Sequence, residues 1–348
     1  MAATTNDEIL ISADSHVVED PELWVKRVPA ALRDQAPKFG EQDLRGFTKQ
    51  PGGWNPSERI KEMETDGVSA EVLYPSLGLR LYDMQNGPLQ EACFRAYNDW
   101  IIEFCQVAPE RLVGIACISC WDIERGVAEM ERCRKAGLRG ALIWEVPDPA
   151  LPFRSAHYDP MWAASQDLEM PMNLHILTQA NPNRAPLEGA SSGLNRLYNN
   201  VNNRIGEVAS AVFDFVAGGI LHRYPGMKIV LVENEVGWLP FYLQQWDYYY
   251  SGKQAPSQSI PIDRDPSAYF HDQVLATFFN DPAGGQALSW WGQDNCMWSN
   301  DYPHPNSTWP NSRQVIARDL GHLPSDIRAK VVRENVAKLY GLKIPTRA

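Results

Sequence analysis

The sequence predicts a distorted (β/α)8 barrel, an α/β fold in one domain over residues 1–348, with long lid loops after strands 1 and 5. Three observations carry that expectation. Short β-type runs alternate with longer amphipathic helical stretches eight times along the chain, no low-complexity linker or internal repeat interrupts them, and the β-type runs end in polar, ligand-type side chains. The composition agrees: 348 residues with 44% hydrophobic and 22% charged side chains suffice for a full core and exclude disorder for the bulk of the chain.

The strand-type runs, in order, are EILISADSH (8–16), VSAEVLYP (68–75), LVGIACIS (112–119), GALIWE (140–145), PMNLHI (171–176), KIVLVE (228–233), QVLATFF (273–279) and CMWSND (296–301). Between them lie stretches such as SERIKEMETDG, LQEACFRAYNDWIIEFCQ, IERGVAEMERCRKAG and GWLPFYLQQWDYYY, whose apolar residues recur at three and four and so mark one buried helix face. Residues 17–55 and 177–200 are too long for simple connections and are expected to fold over the rim as lids.

Charge and leader signals remove several classes of function. Against 43 acidic residues stand 32 basic ones, net −11, which leaves no cation excess to neutralise phosphates or anionic lipid; neither nucleic acid nor a membrane is an expected partner. The start MAATTNDEIL has no basic n-region or apolar h-region, and no run reaches the roughly 18 apolar residues of a spanning helix, so a soluble, cytoplasmic protein is expected. The six cysteines sit in apolar element-like sequence and read as reduced; Cys117 and Cys120 lack the second pair a structural zinc site needs and read as packing. The aromatic residues Trp246, Tyr248, Tyr249, Tyr250, Trp290 and Trp291 exceed what one barrel surface readily exposes, which predicts a homo-oligomer or an assembly with a related chain.

In a parallel barrel the chemistry sits where strands end, so the last residues of each run are the informative ones. Asp14 and His16 are two apart and point to the same side of the first strand; His175 ends the fifth, Glu233 the sixth and Asp301 the eighth, with His304 three residues on. An isolated strand-end Asp is ordinarily a cap, and an isolated His a satisfied core residue. Together, Asp14, His16, His175 and Asp301 form the two-imidazole, two-carboxylate set that holds a divalent ion and leaves it Lewis-acidic. Arg80, after the second strand, is placed to clamp a substrate carboxylate, against the alternative of a solvated loop arginine. Trp54, Trp144 and Trp309 fall in rim loops or at strand ends and are candidates to wall a pocket, against plain packing. His222 and His271 precede strands and belong to the opposite face.

The segments ISADSHVVEDPELW, RIKEMETDGVSAEVLYP, RAYNDWIIEFCQVAPERLVGIACI, HRYPGMKIVLVENEVGWLP and WSNDYPHPNSTWPNS resemble the metal-dependent amidohydrolase superfamily, nearly end to end. The similarity is to the branch that includes aminocarboxymuconate-semialdehyde decarboxylase and γ-resorcylate decarboxylase. The resemblance implies a distorted barrel around one or two metal ions, with Asp14 and His16 as the first-strand pair, His175 as the fifth-strand ligand, and Asp301 as the final aspartate that binds metal or takes a proton. Two departures stand out. The first pair reads Asp-Ser-His where relatives commonly have His-x-His or Glu-x-His, and the sixth strand ends in Glu233 where relatives commonly carry a histidine, which makes His304 a candidate replacement.

The expected activity is a metal-dependent hydrolase or decarboxylase acting on a small organic acid, aromatic ones included, or its amide. Zinc, manganese or iron would serve as the divalent ion, one or two per chain, with Asp301, Glu233 and His304 as acid–base or ligand groups. Two alternatives stay open at this point. One is a dinuclear iron or manganese oxygenase hydroxylating a small acid; the other is a partner subunit that keeps the metal and turns over nothing.

Overall fold

The computed structural model describes residues 8–44, 46–47, 49–180, 188–252 and 259–344. Eight parallel strands make one sheet in chain order: β1 (Leu10–His16), β2 (Val68–Tyr74), β3 (Leu112–Cys117), β4 (Gly140–Ile143), β5 (Met172–His175), β6 (Ile229–Val232), β7 (Val274–Phe278) and β8 (Cys296–Trp298). Parallel neighbours need a crossover each, and helices supply it, as in Gly87–Cys105 before β3 and Ile123–Lys135 before β4. The last seam closes beyond the end of β8, where the Asp301 N–H donates to the Asp14 carbonyl at 3.1 Å and the His16 N–H to the Tyr302 carbonyl at 2.6 Å. First and last strands therefore meet at the residues singled out for chemistry.

Local sequence explains the helix boundaries. Asn55 accepts the N–H groups of Ser57 and Glu58 ahead of Pro56–Asp66, and Gly67, at φ 75°, ends that helix in the left-handed conformation. Asn86 and Asp122 cap the helices before β3 and β4 in the same way.

All eight expected strands are present, but several end earlier than their apolar runs. GALIWE stops pairing at Ile143, KIVLVE at Val232 and CMWSND at Trp298. At β6 the physical reason is a left-handed backbone, φ 60° at Glu233, the residue after Val232; Asp301, three residues past Trp298, is also left-handed at 52°. β1 carries a further irregularity. Ser12 pairs with Glu71 but Ser15 with Leu73, so one extra residue enters β1 as a bulge. Ser12 and Ser15 consequently share a side, both hydroxyls donating to Asn300 Oδ1 at 3.0 and 2.8 Å.

Within residues 17–55, described residues lie against the loops after β2 and β8. Glu19 accepts the N–H groups of Ser76, Leu77 and Gly78 at 3.2, 2.9 and 2.9 Å, the Val18 N–H donates to the Gly53 carbonyl, and the Phe47 ring lies 5.0 Å from that of His304. In the second long segment, residues 181–187 lie outside the described residues, and the part read as loop up to residue 200 is helical from Ser192: Ser192–Tyr198, a π turn at Asn199–Asn203, then Arg204–Val216. By length and composition the helical stretch Ser192–Arg223 is apolar enough to cross a membrane, but 61% of its apolar window is buried within the protein, which accounts for that apolarity.

Candidate metal centre

Asp14 and His16 from β1, His175 from β5, Glu233 just past β6, and Asp301 with His304 past β8 meet on the rim in two overlapping groups, Asp14, His16, His175 and Glu233, and His16, Glu233, Asp301 and His304. The side chains of Asp14, His16 and His175 are sealed completely from solvent, and Asp301 is 1% exposed; Glu233 at 13% and His304 at 15% are partly open.

Each imidazole on the buried side is fixed by a backbone carbonyl. His16 Nδ1 lies 2.8 Å from the Pro75 oxygen and His175 Nδ1 2.8 Å from that of Ile176, so both rings carry the proton on Nδ1 and turn Nε2 inward. Burial, reinforced by neighbouring imidazoles, holds His16 well below the ordinary histidine range, and burial pushes His175 down to about 3. Two unprotonated nitrogens thus face each other at 3.2 Å with lone pairs and no proton between them.

The carboxylates are equally unsatisfied. Both oxygens of Asp14 and Oδ1 of Asp301 are buried without a hydrogen-bond partner. Burial first, and then the charges of Asp301 and Glu235, push Asp14 up; burial, then Asp301 and Asp14, push Glu233 up. Native proteins rarely leave such groups unpaired.

A divalent ion resolves every one of these conflicts. Nε2 of His16 is 3.5 Å from Asp14 Oδ1 and 3.6 Å from Asp301 Oδ1, and Nε2 of His175 is 3.8 Å from Asp14 Oδ1 and 3.6 Å from Glu233 Oε2. Neighbouring ligands around an ion with bonds of about 2.0–2.2 Å lie about 2.8–3.6 Å apart. The residues present fit such an ion.

A buried network holds the donors. Arg59 donates to the His16 carbonyl at 2.6 Å, pairs with Glu71 at 2.5 Å and lies 4.3 Å over the Tyr302 ring, while Asn300 donates to Glu71 at 3.0 Å. One charge pair thereby fixes β1 and the turn after β8 together.

The remaining candidates have the following surroundings. The Arg80 guanidinium is half exposed and pairs with Asp43 at 2.5 Å. Trp144 is buried, its indole donating to the Tyr82 carbonyl and packed edge-on against Trp121, because β4 ends before it and turns it into the core. Trp54 is 44% exposed at the end of the short turn Pro51–Gly53. Trp309 donates to the Glu62 carbonyl and, with Tyr302, His304, Lys49 and Gln50, lines a cavity of about 340 Å³ beside His304.

Two side chains outside that set face the centre. Arg204 donates to the Glu233 carbonyl, and its charge acts on His175, Glu233 and Glu235. Glu235, itself at φ 55°, accepts N–H groups of Phe279 and Asn280 and leaves Oε2 buried without a partner; burial and then Asp281 push its carboxyl up to about 7. The left-handed run after Val232 is the signal in the fold; the sequence carries none for Arg204, whose orientation is set by the π turn preceding it.

A parallel barrel with an unsatisfied His and carboxylate cluster at its C-terminal rim defines a metal-dependent enzyme. The amidohydrolase family model matches residues 12–342, and the chain belongs to that family. Among curated proteins it is 25% identical over 303 residues to a γ-resorcylate decarboxylase of Rhodococcus jostii (strain RHA1), covering 82% of this chain and 87% of the relative. Among solved structures it resembles an amidohydrolase from Mycobacterium avium subsp. paratuberculosis K-10 (TM-score 0.78, 16% identity, 96% of this chain and 100% of that one). A second is a dihydroxybenzoic acid decarboxylase from Polaromonas sp. JS666 with bound manganese and 2-nitroresorcinol (TM-score 0.69, 20% identity, 96% and 97%).

Proposed function

We propose that this enzyme is a decarboxylase of a small aromatic carboxylic acid. The observation that carries the reading is that decarboxylase relatives align with 82% of the chain, and it is supported by a centre whose innermost donors, Asp14, His16 and His175, are closed to bulk water. In the net reaction the ring–carboxyl bond breaks, carbon dioxide leaves, and the ring carbon keeps the electron pair and takes a proton.

Asp14, His16, His175 and Glu233 would hold the ion, with Asp301 and His304 beside it. When bound, a divalent ion supplies a Lewis acid that draws electron density from coordinated substrate oxygens. Arg204, rather than Arg80, is the cation suited to the substrate carboxylate, because its charge acts on His175, Glu233 and Glu235, whereas Arg80 is half exposed and paired with the Asp43 carboxylate. Glu235 suits the transferred proton: backbone N–H groups anchor it, its free Oε2 is buried, and its carboxyl is not among the converging donors. Trp309 walls the cavity next to His304. Phe241, Tyr248, Tyr249 and Trp290, each at least 60% exposed, are read as covered by a second copy of the chain, to be checked by light scattering at micromolar concentration.

The reading is tested by incubating manganese-reconstituted protein, without oxygen, with ortho-hydroxylated benzoates and measuring carbon dioxide and arene. Equal release of both is expected. Turnover that requires oxygen, or hydrolysis of amide or ester analogues with no carbon dioxide, would overturn it.

A further inference from the structure

We propose that a basic cavity on the N-terminal face of the barrel, at the opposite end from the metal centre, binds a multiply charged oxyanion, the group that phosphates and dicarboxylates share. The proposal rests on that face alone and not on which bond the enzyme breaks. The cavity has a volume of about 320 Å³ and is bordered by Arg134, Arg139, Lys228 and Lys338, with Glu169 as the one carboxylate among the described residues that line it. Its size lies in the range of about 300–1,000 Å³ typical of small-molecule sites.

The topology gathers these cations from distant parts of the sequence. Arg139 and Lys228 are the residues immediately before β4 and β6, Arg134 stands in the last turn of the helix Ile123–Lys135, and Lys338 belongs to the final helix Asn335–Tyr340. In a chain of net charge −11, four cations around one concavity run against the overall balance, and a cleft focuses the potential they create.

Cations near the end of a helix ordinarily complement its free carbonyls, and part of this set does so. Arg134 Nε donates to the Leu168 carbonyl at 2.9 Å, Arg139 Nη1 to those of Tyr340 and Gly341 at 2.8 and 3.1 Å, and Lys228 Nζ to that of Asp272 at 2.5 Å. Carbonyls orient a cation without cancelling its charge. Among the described residues none of the four joins an ion pair, and the Asp272 carboxylate, whose charge acts on Lys228, is itself held by Arg264 at 2.5 Å. Both terminal nitrogens of Arg134, and Nε and Nη2 of Arg139, donate to no group among the described residues. Burial holds the Lys228 ammonium below the ordinary lysine range and Lys338 adds to that, against the opposing pull of Asp272.

The floor of the cavity is fixed. Tyr340 is 3% exposed, and its hydroxyl donates to Asn173 Oδ1 inside the barrel at 2.8 Å. Guanidinium groups meet oxyanions through paired N–H donors, so two of them, joined by two ammonium groups, suit an ion whose two or more charges are spread over several oxygens.

The test is isothermal titration calorimetry of the manganese-loaded full chain with inorganic phosphate and, separately, with succinate. One site per chain is expected for at least one of the two anions, the tighter of them naming the source, and affinity should fall as ionic strength rises. Lys338→Glu, at an exposed side chain that makes no hydrogen bond among the described residues, should weaken binding at least ~10-fold, and Arg134→Gln should do the same, with circular dichroism and manganese content unchanged. Absence of binding by both anions overturns the proposal. So does binding that survives Lys338→Glu and Arg134→Gln but is lost in His175→Ala, since that anion would sit at the metal centre.

Discussion

His222 and His271 precede β6 and β7 at one end of the barrel, and His16 and His175 close β1 and β5 at the other. At the first end each imidazole has an ordinary partner: His222 Nδ1 meets the Tyr269 hydroxyl at 2.8 Å and His271 Nδ1 meets Asn295 Oδ1 at 3.2 Å. At the second end each Nδ1 is satisfied by a carbonyl, yet the Nε2 atoms confront each other beside Asp14, whose two oxygens accept nothing, and Asp301, whose Oδ1 accepts nothing. Residue type does not separate the two faces. What separates them is unmet bonding capacity kept in place by satisfied neighbours, which is how a protein prepares a ligand site.

The largest expected effect tests this contrast directly. His175→Ala removes a donor of the centre, so metal content and turnover should both fall at least ~100-fold with folding retained. His222→Ala should leave metal content unchanged. Metal content indifferent to His175→Ala, measured by elemental analysis, would erase the distinction between the faces.

Next in size is the support beneath the site. Arg59 and Glu71 are fully buried, and Arg59 also holds the His16 carbonyl. Arg59→Met leaves Glu71 as an uncompensated buried charge, and a loss of about 3–5 kcal/mol in urea unfolding is expected. The double variant Arg59→Met/Glu71→Gln should recover part of that stability but not metal affinity, since the His16 carbonyl has still lost its donor. Full recovery of both would show that the network serves stability alone.

Much of this arrangement is legible in the chain. Eight apolar runs of strand length, separated by helix-period stretches, specify the barrel, and in a barrel the end of an apolar run is also a position on the rim; that is why Asp14, His16, His175, Glu233 and Asp301 stand out. Period two relates Asp14 to His16 correctly even though a bulge in β1 puts Ser12 with Ser15, because the extra residue is absorbed beside Asp14. Side chains beyond strand ends are less readable. Trp144 continues an apolar run but lies past the last paired residue and packs inward. Arg80 follows β2 as a clamp should, yet its partner Asp43 comes from a loop whose path the sequence does not state. Arg204 is hidden for the opposite reason: the π turn at Asn199–Asn203 re-phases the helix, so no fixed 3.6 period from Ser192 predicts the side it presents.

Arg204 and Arg80 sharpen the comparison within the rim itself. Arg204→Met should raise KM for a carboxylate substrate about 10–100-fold with metal content unchanged, the cost of losing a charge-assisted contact of roughly 1.5–3 kcal/mol. Arg80→Met breaks a half-exposed pair and should alter KM less than about threefold. The reverse order of effects would return the clamp to Arg80.

The smallest effect is expected at the opposite end. His271 is exposed and offers Asn295 one contact, whereas the Asn295 amide nitrogen also donates to the carbonyls of His271 at 2.9 Å and Val274 at 2.8 Å. Those acceptors are backbone atoms and survive His271→Ala, so the β7 start stays anchored and only the Asn295 oxygen loses a partner, at a position where water can replace it. The stability change should be about 0.5–1.5 kcal/mol, with metal stoichiometry and KM at wild-type values. Because His175→Ala deletes the same imidazole from the other end, the pair of variants measures what position adds to an identical side chain. A metal deficit in His271→Ala would mean that the two ends of the barrel are coupled through β7, and the division between a metal-free face and a metal-binding face would not hold.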